Sequence, residues 1–243
     1  MRVACLVFSI AYRNPGLLAK SMTAIDHISN GRAECGIGAG WNEPEYRAFG
    51  YAFPAVKTRE DQLEEYAEAL RLLFDEPFAD FSGRHYTLRH APNNPRPLQR
   101  RLPLWIGGAG EKRTLRTAAL FADGWNAPYL APGEWRRKNE VLDRWCAELG
   151  RDGGAIARTV NLGFYMGADA NGAARGEERY QREWGADTRR MAGFLRGTPS
   201  RATQLVGEFR DAGAERLNLA VRTGPYDWDA LAAFAEDVMP TLR

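Results

Sequence analysis

Residues 36–42 read Gly36-Ile37-Gly38-Ala39-Gly40-Trp41-Asn42 and join an apolar stretch to an acidic helix start. Glycine at the carboxyl end of a strand lets main-chain amides approach a ligand that side chains would exclude, and a following helix N-terminus adds positive potential. A second run, Leu104-Trp105-Ile106-Gly107-Gly108-Ala109-Gly110, repeats this layout about seventy residues later. Two such loops at one edge of a sheet predict a site for a phosphate-bearing cofactor.

Strands and helices alternate outward from these loops. Short apolar runs predict strands that are buried on both faces, and segments with helical periodicity separate them. A polar helical segment is predicted at residues 173–194, and a further helix follows it from Thr198-Pro199 to Gly213. Prolines and glycines from residue 75 to 102 predict a long excursion with a hairpin around Ser82-Gly83. The six predicted strands lie at residues 3–8, 33–37, 103–106, 124–126, 160–166 and 216–221.

This alternation predicts an α/β fold with a parallel sheet, and the right-handed crossover rule leaves an open doubly wound sheet or a barrel. About six β/α units fit an eight-fold barrel only if its first two units are absent. The chain has 243 residues and 44% hydrophobic composition, which suits one large core. We therefore predict a single domain over residues 1–243, with an insertion region at about 75–102.

The net charge indicates the class of partner, and the cysteine content indicates the compartment. Lys and Arg number 33 against 31 Asp and Glu, so the net charge of +2 argues against nucleic acid or an anionic membrane as partner. A small-molecule substrate is expected instead. The three cysteines Cys5, Cys35 and Cys146 do not resemble a disulfide framework, and no signal peptide or membrane-spanning stretch is evident. A cytoplasmic protein is the expectation.

The sequence predicts neither a metal site nor an activated nucleophile. The histidines His27, His85 and His90 are too scattered to form a metal site, so no metal is predicted. No Gly-x-Ser-x-Gly elbow occurs, which disfavours covalent hydrolysis, and Cys35 is expected to be inert core.

The glycine loops match neither a Walker A loop nor a Rossmann fingerprint, because Asn42 stands where a third glycine is needed. Trp41 and Asn42 either face a planar ligand, or Trp41 packs in the core. Behind the second loop, Lys112, Arg113 and Arg116 are expected to add positive charge.

Acid or base groups near the first loop are ambiguous. Glu43 and Glu45 could transfer protons, but stabilisation by the helix dipole explains acidic residues there without catalysis and is the favoured interpretation of Glu45. Tyr12 and Arg13 follow the first strand and either line a ligand pocket or lie in a solvated loop. The catalytic residues stay unassigned from the sequence.

Taken together, an ordered set of motifs resembles the bacterial luciferase-like monooxygenase family, particularly its branch of oxidoreductases that depend on the deazaflavin coenzyme F420. The resemblance spans nearly the whole chain. The segments that carry it are Tyr12-Arg13-Asn14-Pro15, Leu18-Ala19-Lys20, Asp26, Ser29-Asn30-Gly31-Arg32, residues 36–45, residues 104–110, Ala122-Asp123-Gly124-Trp125-Asn126 and Gly197-Thr198-Pro199.

The resemblance implies a TIM (β/α)8 barrel of the luciferase-like type that is incomplete, because the first strand here is similar to the family's third. It also implies a cofactor at the carboxyl ends of the strands. A bulge with a non-prolyl cis peptide would back the cofactor ring, and Leu6-Val7 is the best match for it. The implied ring and ribityl contacts are Gly38, Ala39, Gly40, Trp41 and Asn42, and the implied phosphate cradle is Gly107, Gly108, Ala109 and Gly110.

The implied function is an F420-dependent oxidoreductase that transfers a hydride between the deazaflavin and a small organic substrate. An FMN-dependent luciferase-like monooxygenase is the first alternative. The second is a non-catalytic fragment that binds a cofactor or a partner, because an opened barrel exposes strand edges. A homodimer is expected, and the missing units would supply pocket residues that include acid or base groups.

Overall fold

The computed structural model describes residues 1–185, 192–222 and 224–242. They form two compact units. The first comprises Met1–Asn126 with Val141–Ala157, and the second comprises Ala127–Glu140 with Arg158–Arg243.

Strands and helices alternate along the described residues as predicted. The strands are β1 (Val3–Ser9), β2 (Ala33–Gly38), β3 (Phe78–Ser82), β4 (Thr87–Pro92), β5 (Leu104–Gly107), β6 (Gly124–Pro128), β7 (Ala157–Met166), β8 (Phe194–Gly197) and β9 (Arg216–Ala220). The α-helices are α1 (Pro15–Ile28), α2 (Glu43–Ala48), α3 (Val56–Asp75), α4 (Thr114–Phe121), α5 (Pro132–Glu148), α6 (Ala170–Trp184), α7 (Pro199–Asp211) and α8 (Trp228–Ala233).

The first unit is built on four parallel strands in the order β1, β2, β5, β6. At their carboxyl ends Ser9 lies opposite Gly38, and Gly107 lies opposite Asn126. All residues of β2 are buried, including Glu34. The continuous apolar run of β1 predicts a strand covered on both faces, but Val3 and Ala4 are exposed and the rest of β1 is half-buried. The residues that the sequence analysis assigned to the site therefore reach one edge of one sheet.

Helix α3 covers this sheet with its apolar stripe. Leu63, Tyr66 and Leu70 recur at helical spacing and are completely buried. Directly after Leu70, the buried Arg71 lies 3.2 Å from the carboxylate of Asp123 and donates a 2.7 Å hydrogen bond to the Leu102 carbonyl. Burial lowers the pKa of Arg71, and its carboxylate partner opposes that shift.

The predicted hairpin is present as the antiparallel pair β3 and β4. The carboxylate of Glu65, on α3, accepts hydrogen bonds from the amides of Arg84, His85 and Tyr86 at 2.9, 2.7 and 3.1 Å. A buried or half-buried amide needs such an acceptor, because the turn offers it none in the main chain. Glu65 thus fastens the insertion region to the helix.

Strand β1 carries a bulge between Cys5 and Phe8, where its register with β2 shifts. The bulge brings main chain close to Gly36, and a β-carbon at that position would collide with the carbonyl oxygen of Cys5. Only glycine fits at residue 36, because any side chain would push the two strands apart.

The second unit places β7 between β8 and β9, and both pairings are parallel. An aromatic cluster packs on β7 and β8. Its buried members are Tyr165, Tyr180 and Phe194, with Tyr129 and Trp184 packed against them.

The predicted helix over residues 173–194 is wrong at its carboxyl end. Helix α6 ends at Trp184, where Gly185 adopts a φ of +58°, and Phe194 begins strand β8. Phe194 and Leu195 are buried on opposite faces of β8, which a polar surface helix does not provide. The described residues therefore contain a seventh parallel strand beyond the six predicted, and residues 186–191 of that predicted helix lie outside them.

No helix in the described ranges combines the length and the apolar character that crossing a bilayer requires.

Replacing Gly36 by alanine is expected to destabilise the protein by about 1–3 kcal/mol, because the added methyl group must displace the β1 bulge. Gly207→Ala is the matched control. Gly207 lies inside α7 with open space around its β-carbon position, so alanine should add about 0.5–1 kcal/mol of helix stability. Urea unfolding of both variants measures the difference, and equal stabilities would contradict this account of the bulge.

Substituting Glu65 by glutamine should free the hairpin from α3, since an amide oxygen accepts more weakly than a carboxylate. Hydrogen exchange at Arg84, His85 and Tyr86 is expected to speed up by at least about tenfold, the equivalent of 1.4 kcal/mol. Glu68→Gln, an exposed position on the same helix, serves as control and should leave that exchange unchanged. Unchanged protection in the Glu65 variant would show that the carboxylate does not hold the hairpin.

Candidate functional site

The candidate site lies at the carboxyl ends of β1, β2 and β5 in the first unit. The peptide bond between Leu6 and Val7 is cis and stands within the β1 bulge, where the resemblance places it. The side chain of Val7 fills space that neighbouring glycines leave open. It lies 2.8 Å from the β-carbon positions of both Gly38 and Gly107, and 3.2 Å from that of Gly36. Val7, Gly38 and Gly107, all predicted site residues, are therefore in mutual contact.

The first loop, residues 39–42, is held by side chains that the sequence analysis did not assign. The Tyr46 hydroxyl contacts the Ser9 hydroxyl in a short hydrogen bond and lies 3.4 Å from the Ala39 carbonyl. Arg59 donates a short hydrogen bond to the Gly40 carbonyl and a 3.0 Å bond to the Pro54 carbonyl. The path of this loop is thus fixed from β1 and from α3.

Gly40 has a φ of +79°, and a β-carbon there would collide with the Tyr46 hydroxyl. This glycine is required by the turn and by close packing of a protein side chain.

One sequence signal could have identified Arg59. It lies in the first turns of α3, where the helix dipole disfavours a cation, so an arginine there implies specific acceptors.

Trp41 is 71% exposed, so the alternative that it packs in the core is wrong. Asn42 stands at the helix start, yet its side chain makes no capping hydrogen bond and lies 3.5 Å from Glu45. The carboxylate of Glu43 is paired with Arg47 at 2.6 Å. Trp41 therefore offers an uncovered aromatic face beside the loop.

The second loop presents main-chain amides. Gly108 is fixed from β6, because its amide donates to the Asn126 carbonyl at 3.1 Å and its carbonyl accepts from the Trp125 indole at 2.7 Å. The amides of Ala109 and Gly110 donate no hydrogen bond within the described part of the chain. Two adjacent main-chain donors are therefore available to an anion, which fits a phosphate group.

Lys112, Arg113 and Arg116 are predicted to add positive charge behind this loop, but two of the three are neutralised by carboxylates. Arg113 pairs with Asp61, and Arg116 pairs with Glu64 at 2.7 Å, so their charges are directed to α3. Lys112 is exposed and, in the described ranges, forms no ion pair. Of these three basic residues, Lys112 is the one whose charge stays available to the loop.

A carboxylate of α3, that of Glu60, meets the buried start of α4 near the same loop. The Thr114 hydroxyl donates to both oxygens of Glu60 at 3.1 and 3.0 Å. Burial raises the pKa of Glu60, and the hydrogen bond from Thr114 limits that rise.

Two titratable groups near the site, Tyr12 and Cys35, have a raised pKa. Burial of the hydroxyl, followed by the negative charge of Glu45, raises the pKa of Tyr12 to about 12, so Tyr12 is protonated at neutral pH. Burial raises the pKa of the Cys35 thiol to about 12, and its side chain is completely buried, which confirms the prediction of an inert core cysteine.

A cavity of about 360 Å³ adjoins the first loop. Its lining includes Ala39 and Tyr46 of the loop region, and Arg13, Arg59 and Tyr86 from neighbouring segments. Of the two residues predicted to line a ligand pocket, Arg13 therefore lines this cavity, and Tyr12 is not among its lining residues. A separate cavity of about 520 Å³ in the second unit lies beside Arg196, which is paired with Glu177 at 2.7 Å.

Comparisons with solved structures identify the fold. An F420-dependent secondary alcohol dehydrogenase superposes with a TM-score of 0.85 at 18% identity, over 100% of this chain and 80% of that one. The F420-dependent tetrahydromethanopterin reductase of Methanopyrus kandleri gives 0.80 at 17% identity, over 100% and 84%. These likenesses confirm the predicted fold class, the luciferase-like barrel type.

Sequence relatives point to the same family. Rv0953c, an uncharacterized protein of Mycobacterium tuberculosis, is 34% identical over 153 residues, 63% of this chain and 53% of the relative. The pyrimidine monooxygenase RutA of Cronobacter sakazakii is 28% identical over 229 residues, 87% of this chain and 63% of RutA. The chain thus spans about half to two thirds of the length of these relatives.

The model of the luciferase-like monooxygenase family matches residues 1–237, nearly the entire chain. The match includes both glycine loops, the β1 bulge and the hairpin insertion. The chain belongs to the luciferase-like monooxygenase family.

Proposed function

We propose that the protein is an F420-dependent oxidoreductase that transfers a hydride between the deazaflavin and a small organic substrate. The observation that carries this proposal is the surface at the carboxyl ends of β1, β2 and β5. There Val7 is framed by Gly38 and Gly107, and the amides of Ala109 and Gly110 have no acceptor among the described residues. A tricyclic ring with a phosphate-bearing tail suits a smooth, glycine-edged wall next to free main-chain donors.

Each part of this surface has a distinct role in the proposal. Leu6 and Val7 back the ring, and residues 38–42 form the wall on its ring and ribityl side. Gly107, Gly108, Ala109 and Gly110 cradle the phosphate, with Lys112 adding positive charge. When bound, the cofactor supplies the hydride chemistry, while the chain orients it and shields one of its faces.

The anchors of the first loop set how well the wall is preorganised. Tyr46 and Arg59 hold the main-chain carbonyls of Ala39 and Gly40, so a cofactor that binds need not order this loop. Less entropy is lost when a ligand meets a surface that is already fixed. Tyr12, protonated at neutral pH, is the candidate for donating a hydrogen bond or a proton at the edge of the site.

An FMN-dependent monooxygenase is the alternative, and RutA favours it because its likeness extends over 87% of this chain. Two considerations support F420. The two solved structures described above act with F420, and the wall residue Trp41 is 71% exposed. Oxygen activation by a reduced flavin depends on excluding water from the site, whereas hydride transfer between two bound molecules depends less on it.

Cofactor titration tests the proposal. Oxidised and reduced F420 and FMN are added separately to the purified chain, and tryptophan fluorescence and thermal stability are followed. We expect F420 to bind with a micromolar dissociation constant and to raise the melting temperature, since a ligand of the folded state stabilises it. Micromolar binding of FMN alone would favour the monooxygenase, and binding of neither would leave the non-catalytic alternative.

The phosphate assignment predicts a selective effect of Lys112→Gln. Losing this charge should weaken F420 binding by about three- to tenfold, as expected for a partly exposed ion pair. Binding of the deazariboflavin that lacks the phosphate tail should not change. Lys57→Gln, an exposed lysine on α3, is the matched control. If Lys112→Gln weakened the binding of F420 and of deazariboflavin equally, the phosphate tail would not lie beside Lys112.

A further inference from the structure

The cavity beside the first loop has aromatic walls and a defined size. Tyr46, Tyr51 and Tyr86 contribute to its lining, and its volume is about 360 Å³. This volume lies at the small end of the range of ligand pockets and suits a molecule with one aromatic ring. Ala39 lies both in this lining and in the proposed ring wall, so a ligand in the cavity would adjoin the cofactor site.

The cavity contains a buried cation without a carboxylate partner. Arg59 is 9% exposed, and its guanidinium lies 4.0 Å from the centre of the Phe53 ring. Two of its five N–H groups are used by the carbonyls of Gly40 and Pro54. It forms no ion pair in the part of the chain that the structure describes, and the neighbouring Glu60 is engaged by Thr114. Buried charges in proteins are normally paired, so this one is open to an anion.

A second cation lies at the rim. Arg13 is exposed, and its guanidinium stacks over the Phe8 ring at 5.0 Å. The Tyr66 hydroxyl donates to the Arg13 carbonyl at 3.2 Å, which fixes the backbone from which this side chain extends. Arg13 forms no ion pair within the described ranges, and the residues that line the cavity include no aspartate or glutamate.

We propose that this cavity binds the carboxylate of an aromatic acid, with Arg13 and Arg59 as the two cations that recognise it. The planar guanidinium fork matches a carboxylate, and the tyrosine walls suit an aromatic ring. Resting on the proposed function, this ligand is the substrate of the oxidoreductase. The charge, the aromatic lining and the contact with Ala39 each support that class.

The test uses the cofactor-free chain and a matched pair of probes, 4-hydroxyphenylacetate and the neutral 4-hydroxyphenylacetamide. Their dissociation constants are measured by ligand-observed NMR. We expect the acid to bind at least about tenfold more tightly than the amide, the gain of a charge-assisted hydrogen bond. Equal binding of the two probes, or no binding of either up to millimolar concentration, would overturn the proposal.

Arg13→Gln is the deciding variant, because Arg13 is exposed and forms no ion pair within the described ranges, so its replacement should leave the chain folded. The preference for the acid should fall to within about twofold in this variant. Arg89→Gln, an exposed arginine of β4 outside the cavity, is the control and should retain the full preference. A preference that survives in the Arg13 variant would contradict the assignment.

Competition distinguishes a substrate from the acidic tail of the cofactor itself. If the cavity is a substrate site, saturating F420 and deazariboflavin should both leave the acid bound. Displacement by F420 alone would assign the cavity to the tail and overturn the substrate reading. Because the probe titration needs no cofactor, failure of the F420 titration would remove the proposed function while leaving the aromatic-acid site measurable.

Discussion

The packing of Val7 against strand-end glycines is the constraint on which the rest of the first unit depends. The bulge of β1 turns this side chain toward β2 and β5, and the chain accommodates it by omitting side chains at Gly38 and Gly107. The same omission leaves main chain exposed at the strand ends. One steric requirement therefore shapes both the sheet and the surface that we assign to the cofactor.

Helix α3 then fixes the loops around that surface through its first turns. Arg59 holds the first loop, Asp61 and Glu64 bind arginines behind the second loop, and Glu65 holds the hairpin. A single helix thus connects three segments that are far apart in sequence, and the cavity with Arg59 is a consequence of this arrangement.

Much of the fold could be predicted from sequence, because its strands are short apolar runs with a distinct periodicity. Strand β8 was not predicted, because its four residues follow a polar, helix-like stretch and are too few to show the alternation of a strand. Within the site, the glycines and the Leu6–Val7 cis bond could be located by resemblance. The role of Tyr46 could not, because its hydrogen-bond partners have no sequence signature. For Arg59, its place at the start of α3 signals that it needs acceptors, but not that they are the carbonyls of Gly40 and Pro54.

The sequence by itself determined the α/β class, the family and the positions of the two glycine loops, since these depend on local composition and periodicity. Only the tertiary structure decided which charged side chains are available to bind a ligand. Arg113 and Arg116 stand directly behind a glycine loop in sequence but are neutralised by α3, whereas Arg13 and Arg59 meet at one cavity from separate segments. Whether a charged side chain can bind a ligand depends on its partners in space, which the order of residues does not specify.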